Sequence, residues 1–194
     1  MFGSRRKIIA RGPRVHILAP NRDTAAEFVA FTLANKDFHR PWVFPATDIA
    51  GYRHYLERLG SSGAYGFLIA RNEDNALVGV VNINDVVLGG HRSASLGYYG
   101  TRAQARRGYM SEGLSLVLEQ AFGPLTLHRI EANVQPGNAA SLALITALGF
   151  RREGFSPGFL QIDGVWRDHE RWAILDEEWK RRAMTPVRPL SRVV

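Results

Sequence analysis

The chain has 194 residues, of which 45% are hydrophobic and 22% charged, a balance typical of one globular domain with a sizeable core. It contains no cysteine, which excludes disulfides, thiol nucleophiles and thiolate metal ligands. No apolar run reaches the roughly 18 residues of a transmembrane helix, and the basic N-terminus lacks the apolar stretch of a signal peptide. We therefore expect a cytoplasmic protein without a membrane partner.

The formal net charge of +7 is concentrated at the two ends of the chain. Residues 1–16 contain five Lys and Arg and no acid, and residues 179–194 contain five more and no acid. The intervening segment, with 15 basic and 18 acidic residues, is close to −3. We expect residues 1–13 and 184–194 to be flexible, solubilising ends, and basic ends also permit weak contact with a ribosome. No sequence-reading nucleic-acid motif is present.

The first third of the chain predicts mainly helices. Residues 15–18 form a short apolar strand that ends before Pro20, and a capped helix follows from about residue 21 to 35. Residues 37–44 are predicted to be irregular. A second helix is expected from Asp48 to Leu59, since its apolar residues recur at helical spacing.

The middle of the chain changes to a strand pattern. Residues 65–70 and 77–83 are apolar and β-branched, and the polar turn between them predicts a hairpin. Residues 95–99 predict a third strand, and an apolar-periodic helix then ends near Gly123.

The last third alternates strand, helix and hairpin. A strand is predicted at 129–134, a short helix at 138–148, a closing hairpin at 159–174 and a polar helix at 176–182. The whole order favours one domain, residues 14–183, of the α/β (α+β) class. We expect a mixed, mostly antiparallel central sheet with helices on both faces. In such a sheet, strand 129–134 lies next to strand 95–99.

A basic, glycine-containing turn, Arg106–Gly113, joins the third strand to its helix. Free backbone N–H groups, the positive end of a helix dipole and two guanidinium groups would meet there, which suits a phosphate-bearing ligand. An ordinary basic loop that caps a helix is the structural alternative. The turn lacks the Gly-Lys-Ser/Thr of a nucleoside-triphosphate loop.

The turn resembles the acetyl-CoA motif of the GNAT N-acetyltransferase superfamily, Gln/Arg-x-x-Gly-x-Gly/Ala. The aligned hexad is Ala105–Met110, which departs from the motif because Gln104 stands one residue early and Met110 replaces a small residue. Other blocks resemble the branch of RimJ-type ribosomal-protein-alanine N-acetyltransferases, and the likeness covers roughly residues 14–180. These blocks are His39–Trp42, Arg129–Val134, Asn138–Ser141, Ala147–Phe150 with Glu153-Gly154, and Ile162–His169.

The resemblance implies a GNAT fold and acetyl transfer from acetyl-CoA to a primary amine. It implies four groups of site residues. A pyrophosphate cradle comprises Arg106, Arg107, Gly108, Tyr109, Met110 and Ser111. Tyr98, Tyr99 and Gly100 would pair with the pantetheine like an added strand, Asn138 would bind the pantetheine arm, and Ser141 would protonate the leaving thiolate.

Amine acetylation needs a neutral nucleophile, a donor for the oxyanion and help for the departing thiolate. Glu131, on the strand beside the expected acetyl site, is the first candidate base, and an outward residue paired with an arginine is its structural alternative. Asp85 and His91 are weaker candidates. Glu112 is expected to stabilise its helix N-terminus, and His169 to be a hydrogen-bonded hairpin residue. Without the resemblance, Ser141 is simply a first-turn helix serine.

These observations predict an acetyl-CoA-dependent enzyme that acetylates the N-terminal α-amine of a protein, such as an alanine-starting ribosomal protein. The alternatives are a small-molecule amine acetyltransferase for an antibiotic or polyamine, and a non-catalytic acetyl-CoA-binding or ribosome-associated module. The six histidines are scattered without ligand spacing, so no metal is expected. A monomer or a dimer is consistent with the sequence.

Overall fold

The computed structural model describes residues 7–61 and 63–184. Within these ranges eight strands form a single sheet in the order β1-β2-β3-β4-β5-β6-β8-β7. All neighbouring strands are antiparallel except β5 and β6, which are parallel. The strands are β1 Ile8–Arg11, β2 Val15–Leu18, β3 Tyr65–Arg71, β4 Leu77–Val87, β5 Ser93–Gly100, β6 Arg129–Val134, β7 Arg151–Ile162 and β8 Val165–Leu175.

Helices cover both faces of this sheet, as the sequence predicts. One face carries the core cluster that includes Leu114 and Ile145, and the other carries the cluster that includes Phe28 and Tyr52. The helices are α1 Ala25–Ala34, α2 Lys36–His39, α3 Ile49–Ser61, α4 Tyr109–Phe122, α5 Ala139–Ala147 and α6 Asp176–Met184. Accordingly α4 and α5 lie on the first face and α1 and α3 on the second. The predicted fold class is confirmed.

The central strand β3 explains why part of the sequence is a continuous apolar run. Phe67 and Ile69 pack into the cluster under α4, whereas Leu68 and Ala70 pack into the cluster under α1. All four side chains are buried, because helices cover the strand on both sides. Burial of such side chains contributes about 1.5–3 kcal/mol each, so this strand anchors both layers.

The sheet begins earlier than the expected domain start at residue 14. Strand β1 pairs antiparallel with β2, and Ile9 and Ala10 pack against the core. Pairing and apolar contact together bring residues 8–11 into the domain, although the net basic charge of this end predicted otherwise. At the other end, α6 extends through Met184. The remainder of the expected flexible ends, residues 1–6 and 185–194, lies outside the described residues.

Two further segments differ from the prediction. Residues 36–39 form the one-turn helix α2, where an irregular segment was expected from residue 37. Strand β7 begins at Arg151, eight residues before the predicted hairpin. Its charged residues hid the strand, because they pair across the hairpin: Arg152 Nε donates to Glu170 Oε2 at 3.0 Å.

One irregularity of the sheet creates an opening. The parallel ladder joins Ser93–Ser95 of β5 to Arg129–Glu131 of β6, and no later residues of the two strands pair with each other. Both strands nevertheless continue, to Gly100 and Val134. Because they are parallel, their carboxyl ends and the helices that follow, α4 and α5, begin at the same edge of the sheet. The expected adjacency of the two strands is therefore confirmed, and the gap beyond it is a candidate site.

Candidate functional site

The turn between β5 and α4 presents an uncapped helix N-terminus. Arg106 and Gly108 have φ values of 62° and 81°, so the turn uses the left-handed region twice. At the second position glycine is favoured, because it has no Cβ to clash there. Gly108 is the N-cap, and no side chain caps the helix at this position. The N–H groups of the first turn of α4 are thus left for an external acceptor, such as a phosphate oxygen.

Arg14, just before β2, holds this turn in place. Its Nη1 donates to the Arg107 carbonyl oxygen at 2.9 Å, and its guanidinium lies 5.2 Å from the centre of the Tyr109 ring. The side chains of Arg106 and Arg107 themselves remain exposed. Positive charge therefore flanks the uncapped helix end while a third arginine fixes the backbone, which favours binding of an anion.

Glu112 lies in the first turn of α4, where its negative charge favours the helix dipole as expected, and it also makes contacts that the sequence did not predict. Its Oε1 accepts hydrogen bonds from the backbone N–H groups of Arg14 and Val15, at 2.7 and 3.1 Å. These two N–H groups are available because residues 12–15 form the turn that leads into β2, beside α4. This carboxylate joins the sheet to the helix.

Met110 occupies a position where the motif has a small residue, and two glycines of the sheet make room for its larger side chain. Gly79 and Gly100 face each other across the β4–β5 pair. A Cβ added at Gly79 would overlap the Met110 Sδ, and one added at Gly100 would lie 3.0 Å from the Met110 Cγ. Two glycines thus form a hollow for the methionine side chain, so the departure at the last motif position leaves the turn well packed.

Asn35 and His39 secure the end of β5, and sequence reasoning missed both. Asn35 Oδ1 accepts from Thr101 Oγ1 and from the backbone N–H of Arg102, each at 2.9 Å. His39 Nε2 lies 2.8 Å from the Gly100 carbonyl oxygen and must be the donor, because a carbonyl only accepts. Burial lowers the pKa of His39, which the hydrogen bond to Gly100 opposes, so the ring is neutral at pH 7. The only sequence signal was the family-like segment around His39.

Tyr98 and Ser141 meet across the gap between β5 and α5. The Tyr98 hydroxyl lies 2.5 Å from Ser141 Oγ and 3.4 Å from the Ser141 carbonyl oxygen. Burial raises the pKa of Tyr98 to about 12, although the hydrogen bond with Ser141 opposes that shift. Asn138 Oδ1 caps α5 by accepting from the Ser141 backbone N–H at 3.2 Å. The structure therefore brings Tyr98, Asn138 and Ser141 together.

The side chain of Tyr99 lies away from the gap, unlike that of Tyr98. Its ring points to the opposite face of the sheet, where it lies 5.0 Å from His39 and 6.4 Å from Phe31, measured between ring centres. Only the backbone of Tyr99 is available at the gap. On that side β5 has no strand partner beyond Ser95, so an extended ligand can add to its edge.

Glu131 lies at the last paired position before the gap, and it is engaged with arginines. Its Oε1 accepts from Arg129 Nε at 2.9 Å, and its Oε2 is 3.8 Å from Arg171 Nη2. Arg129 is in turn shared with Glu153 on β7. The structure thus shows the pairing expected of an outward strand residue, at a place that also borders the candidate acetyl site.

The remaining titratable candidates, Asp85, His91 and His169, lie in three different environments. Asp85 Oδ2 accepts from Ser95 Oγ at 2.7 Å, and His91 is exposed in the loop before β5. His169 is buried and lies 3.0 Å from the Arg167 carbonyl oxygen, so it is a hydrogen-bonded hairpin residue as expected.

Two buried acceptors near the gap have no hydrogen-bond donor among the described residues, Gln104 Oε1 and Asn133 Oδ1. Such orphaned oxygens fit a ligand that carries N–H groups, as the pantetheine amides do. Within residues 7–61 and 63–184, no group of three or more His, Asp and Glu is arranged to hold a metal ion. In the same part of the chain, no helix is long and apolar enough to cross a membrane.

A sequence model described as the acetyltransferase (GNAT) domain matches residues 14–151, more than half of the chain. The chain belongs to the GNAT acetyltransferase family. Membership makes it an acetyl-CoA-dependent N-acetyltransferase, as the resemblance implied. Its uncapped turn, flanking arginines and free β5 edge are consistent with the CoA that this fold uses.

Known members of the GNAT family resemble the chain over most of its length. Probable N-acetyltransferase YjcK of Bacillus subtilis is 32% identical over 87% of this chain and 97% of its own. The ribosomal protein uS5-alanine N-acetyltransferase of Escherichia coli is 29% identical over 92% of this chain and 98% of its own. The structure of Mycobacterium smegmatis RimJ in complex with CoA-disulfide is 30% identical, with a TM-score of 0.77 over 86% of this chain and 87% of its own.

Proposed function

We propose that this acetyltransferase modifies the N-terminal α-amine of a protein, and that a ribosomal protein beginning with alanine is its natural acceptor. The observation that supports this most directly is the end-to-end similarity to the E. coli enzyme named for the alanine of uS5, which spans 98% of that enzyme. The similarity to M. smegmatis RimJ points to the same branch. Such an acceptor would place the reaction in the cytoplasm.

The geometry of the gap supports the roles proposed for the binding residues. The first-turn N–H groups of α4 and the exposed arginines of the turn would hold the pyrophosphate. The free edge of β5 would pair with the pantetheine, and Asn138 would donate from its amide nitrogen, since its oxygen already caps α5. The residues in these roles are Arg106, Arg107, Gly108, Tyr109, Met110, Ser111, Tyr98, Tyr99, Gly100 and Asn138.

In the reaction, the acceptor amine attacks the thioester carbonyl of acetyl-CoA. The C–N bond forms and the C–S bond breaks, so this chain has to accept the proton that the amine loses, donate to the oxyanion and stabilise CoA as it departs as a thiolate. Ser141, in the first turn of α5, would donate its hydroxyl to the thiolate, and the positive end of the α5 dipole favours negative charge there. Glu131 would accept the proton through a water molecule.

An α-amine makes acceptance of the proton a modest requirement. With a pKa near 7.8 it is roughly one-tenth neutral at pH 7, whereas a lysine near 10.4 is only about four parts in ten thousand neutral. A carboxylate that is also paired with Arg129, as Glu131 is, remains an adequate base for such an amine. A lysine acceptor would be neutral to a far smaller fraction and would depend more on the base, so a paired carboxylate suits an N-terminus better than a side-chain amine.

A peptide panel tests this proposal. The purified chain is incubated with acetyl-CoA and peptides that begin with Ala, Ser or Thr, and the products are located by tandem mass spectrometry. Matched peptides with a blocked N-terminus and one internal lysine serve as controls. We expect one acetyl group on the free N-terminus and none on the controls.

Three other outcomes would contradict the proposal in different ways. Thiol release with polyamines or aminoglycosides, but not with peptides, would identify a small-molecule enzyme. Lysine acetylation in the blocked peptides would exclude selectivity for N-termini. Acetyl-CoA binding without thiol release from any amine would indicate a non-catalytic module.

The basic ends are the proposed contact with the ribosome. Because β1 begins at Ile8, a truncation that spares the sheet removes only residues 1–6 and 185–194. Loss of co-sedimentation with ribosomes, at unchanged activity on a free peptide, would support this contact, and unchanged co-sedimentation would contradict it.

A further inference from the structure

The hydrogen bond between Tyr98 and Ser141 joins β5 to α5 across the gap. Tyr98 lies on β5 beyond the paired residues, and Ser141 lies in the first turn of the helix that follows β6. Their side-chain oxygens are 2.5 Å apart, a short distance for two hydroxyl groups.

We propose that Tyr98 is the positioning residue of Ser141: its hydroxyl donates to Ser141 Oγ and so directs the serine proton towards the leaving thiolate. This inference rests on the proposed role of Ser141 in acetyl transfer. It assigns the tyrosine side chain a role separate from the backbone pairing expected of β5.

Ser141 is held at three of its atoms. Its backbone N–H donates to Asn138 Oδ1, its carbonyl oxygen lies 3.4 Å from the Tyr98 hydroxyl, and its Oγ lies 2.5 Å from the same hydroxyl. A serine hydroxyl otherwise rotates freely among staggered positions. With one lone pair of Oγ occupied by Tyr98, the proton must point away from the tyrosine. The serine is thus oriented before the reaction begins, and no reorganisation is needed when charge develops.

The roles proposed for the two hydroxyl groups decide whether Tyr98 or Ser141 donates the hydrogen bond between them. Either oxygen can be the donor by distance alone. If Ser141 donated to Tyr98, its single proton would be occupied and unavailable to the thiolate. The Tyr98 hydroxyl can donate to Ser141 Oγ at 2.5 Å or, at the longer distance of 3.4 Å, to the Ser141 carbonyl oxygen. Burial raises the pKa of its phenol to about 12, so it keeps its proton throughout the neutral range. No proton leaves the tyrosine: it remains a hydrogen-bond donor, and the donation polarises the serine O–H.

Packing of the tyrosine ring can be separated from the role of its hydroxyl. The ring packs against the core cluster under α4, and phenylalanine preserves that contact. Tyr98→Phe therefore removes one hydroxyl group and leaves the core intact. Tyr65→Phe makes the same chemical change on an exposed position of β3 and is the matched control.

The test is a double-mutant cycle with Tyr98→Phe, Ser141→Ala and the double variant. Initial rates of thiol release are measured with the amine that the wild type uses best, together with the dissociation constant for acetyl-CoA and the melting temperature. We expect each single variant to lower kcat by about tenfold, as for the loss of one oriented donor, with little change in acetyl-CoA affinity. The double variant should be no slower than Ser141→Ala alone, because the tyrosine acts through the serine. Tyr65→Phe should match the wild type.

Several results would overturn the proposal. A wild-type rate for Tyr98→Phe would show that Ser141 needs no orientation. A multiplicative loss of about a hundredfold in the double variant would show that the tyrosine acts independently. A changed acetyl-CoA affinity at unchanged kcat would make Tyr98 a binding residue only. Absence of thiol release by the wild type with every amine would instead overturn the proposed function, and this inference with it.

Discussion

The carboxylate of Glu112 receives both the backbone N–H and the side-chain Nε of Arg14, at 2.7 and 2.8 Å. Arg14 in turn donates from Nη1 to the carbonyl oxygen of Arg107. One acid on α4 and one base before β2 thus connect the sheet, the helix and the turn proposed to hold a pyrophosphate. The side chain of Glu112 is 15% exposed and that of Arg14 is 51% exposed, so the acid is shielded from much of the solvent whereas its partner is half exposed. We infer that the turn is rigid because of this contact.

Replacing Glu112 with Gln should therefore destabilise the fold in a pH-dependent way. Partial burial alone would raise the pKa of Glu112, but the hydrogen bonds from Arg14 and Val15 outweigh it and lower the pKa. A lowered folded-state pKa adds stability above the unfolded value, near 4.3, and that stability is lost as pH falls through the folded value. We expect Glu112→Gln to reduce the free energy of unfolding by about 1–2 kcal/mol at pH 7.

Urea unfolding at pH 7 and at lower pH measures this difference. The difference between the two proteins should shrink as the pH falls below the unfolded value near 4.3 and through the lowered folded value, because wild-type Glu112 then also becomes neutral. Glu119→Gln, on an exposed position of the same helix, controls for the loss of one charge from α4. A Glu112→Gln difference that persisted unchanged in acid would show that the carboxylate charge does not contribute.

Charge reversal at the turn tests the proposed phosphate site. Arg107→Glu places a negative side chain beside the uncapped start of α4, where it would repel a pyrophosphate. We expect CoA affinity to fall at least about tenfold, which corresponds to about 1.4 kcal/mol. Isothermal titration with CoA measures the effect, and Arg22→Glu, in the helical turn before α1, carries the same charge change away from the gap. Equal affinity in all three proteins would mean that the turn is merely structural.

The secondary structure was predictable where local patterns agree with the tertiary fold. Strand β6 matches its predicted bounds, since its alternate residues are buried. Strand β7 was predicted too short, because Arg152 and Glu170 are polar in sequence and become partners only when the hairpin forms. Strand β1 was missed for a related reason: four residues in a basic segment carry too weak a pattern, and β2 supplies the partner.

The turn proposed to hold the pyrophosphate was predictable from sequence, whereas the residues that support it were not. Arg107 and Gly108 form a local motif, and Ser141 follows its N-cap Asn138 at a fixed spacing. By contrast, Asn35 reaches Thr101 across 66 residues, and no pattern in a single sequence records such a contact. The same reason hid the Tyr98–Ser141 contact, because it exists only where β5 and the chain after β6 approach each other.

Two substitutions on one ion network can decide the role of Glu131. Glu131→Gln removes both the candidate base and a partner of Arg129, whereas Glu153→Gln removes a partner that Arg129 shares with Arg151 and leaves the candidate base in place. If Glu131 serves as the base, its loss should lower kcat by about tenfold at pH 7. This reduction in kcat should be smaller at pH 9, because an α-amine is then largely neutral and depends less on a base.

The pH dependence of kcat for both variants, with a peptide acceptor, makes the comparison. Glu153→Gln should follow the wild-type profile with a small fall in melting temperature, because its effect is confined to the ion network. Parallel profiles for the two variants would assign Glu131 to the network alone and remove it from the mechanism.

The glycine pair beneath Met110 predicts a substitution that weakens CoA binding when made alone and weakens it much less when Met110 is shortened as well. In Gly79→Ala the new methyl group would overlap the Met110 Sδ and also lie 3.2 Å from the Tyr99 carbonyl oxygen. Overpacking of this kind typically destabilises by about 1–3 kcal/mol, and here it would push the first turn of α4 away from β5. We expect a lower melting temperature together with weaker CoA binding.

Met110→Ala removes the side chain that the methyl group would strike, so the double variant Gly79→Ala/Met110→Ala should recover most of the lost CoA affinity. The single Met110→Ala variant is the reference, because it leaves a void over the glycine pair and lowers stability without displacing the turn. Melting temperature and CoA titration on all four proteins give the coupling energy between the two sites. A double variant that binds CoA no better than Gly79→Ala would show that Met110 does not transmit the strain, and that the glycine is needed for the sheet itself.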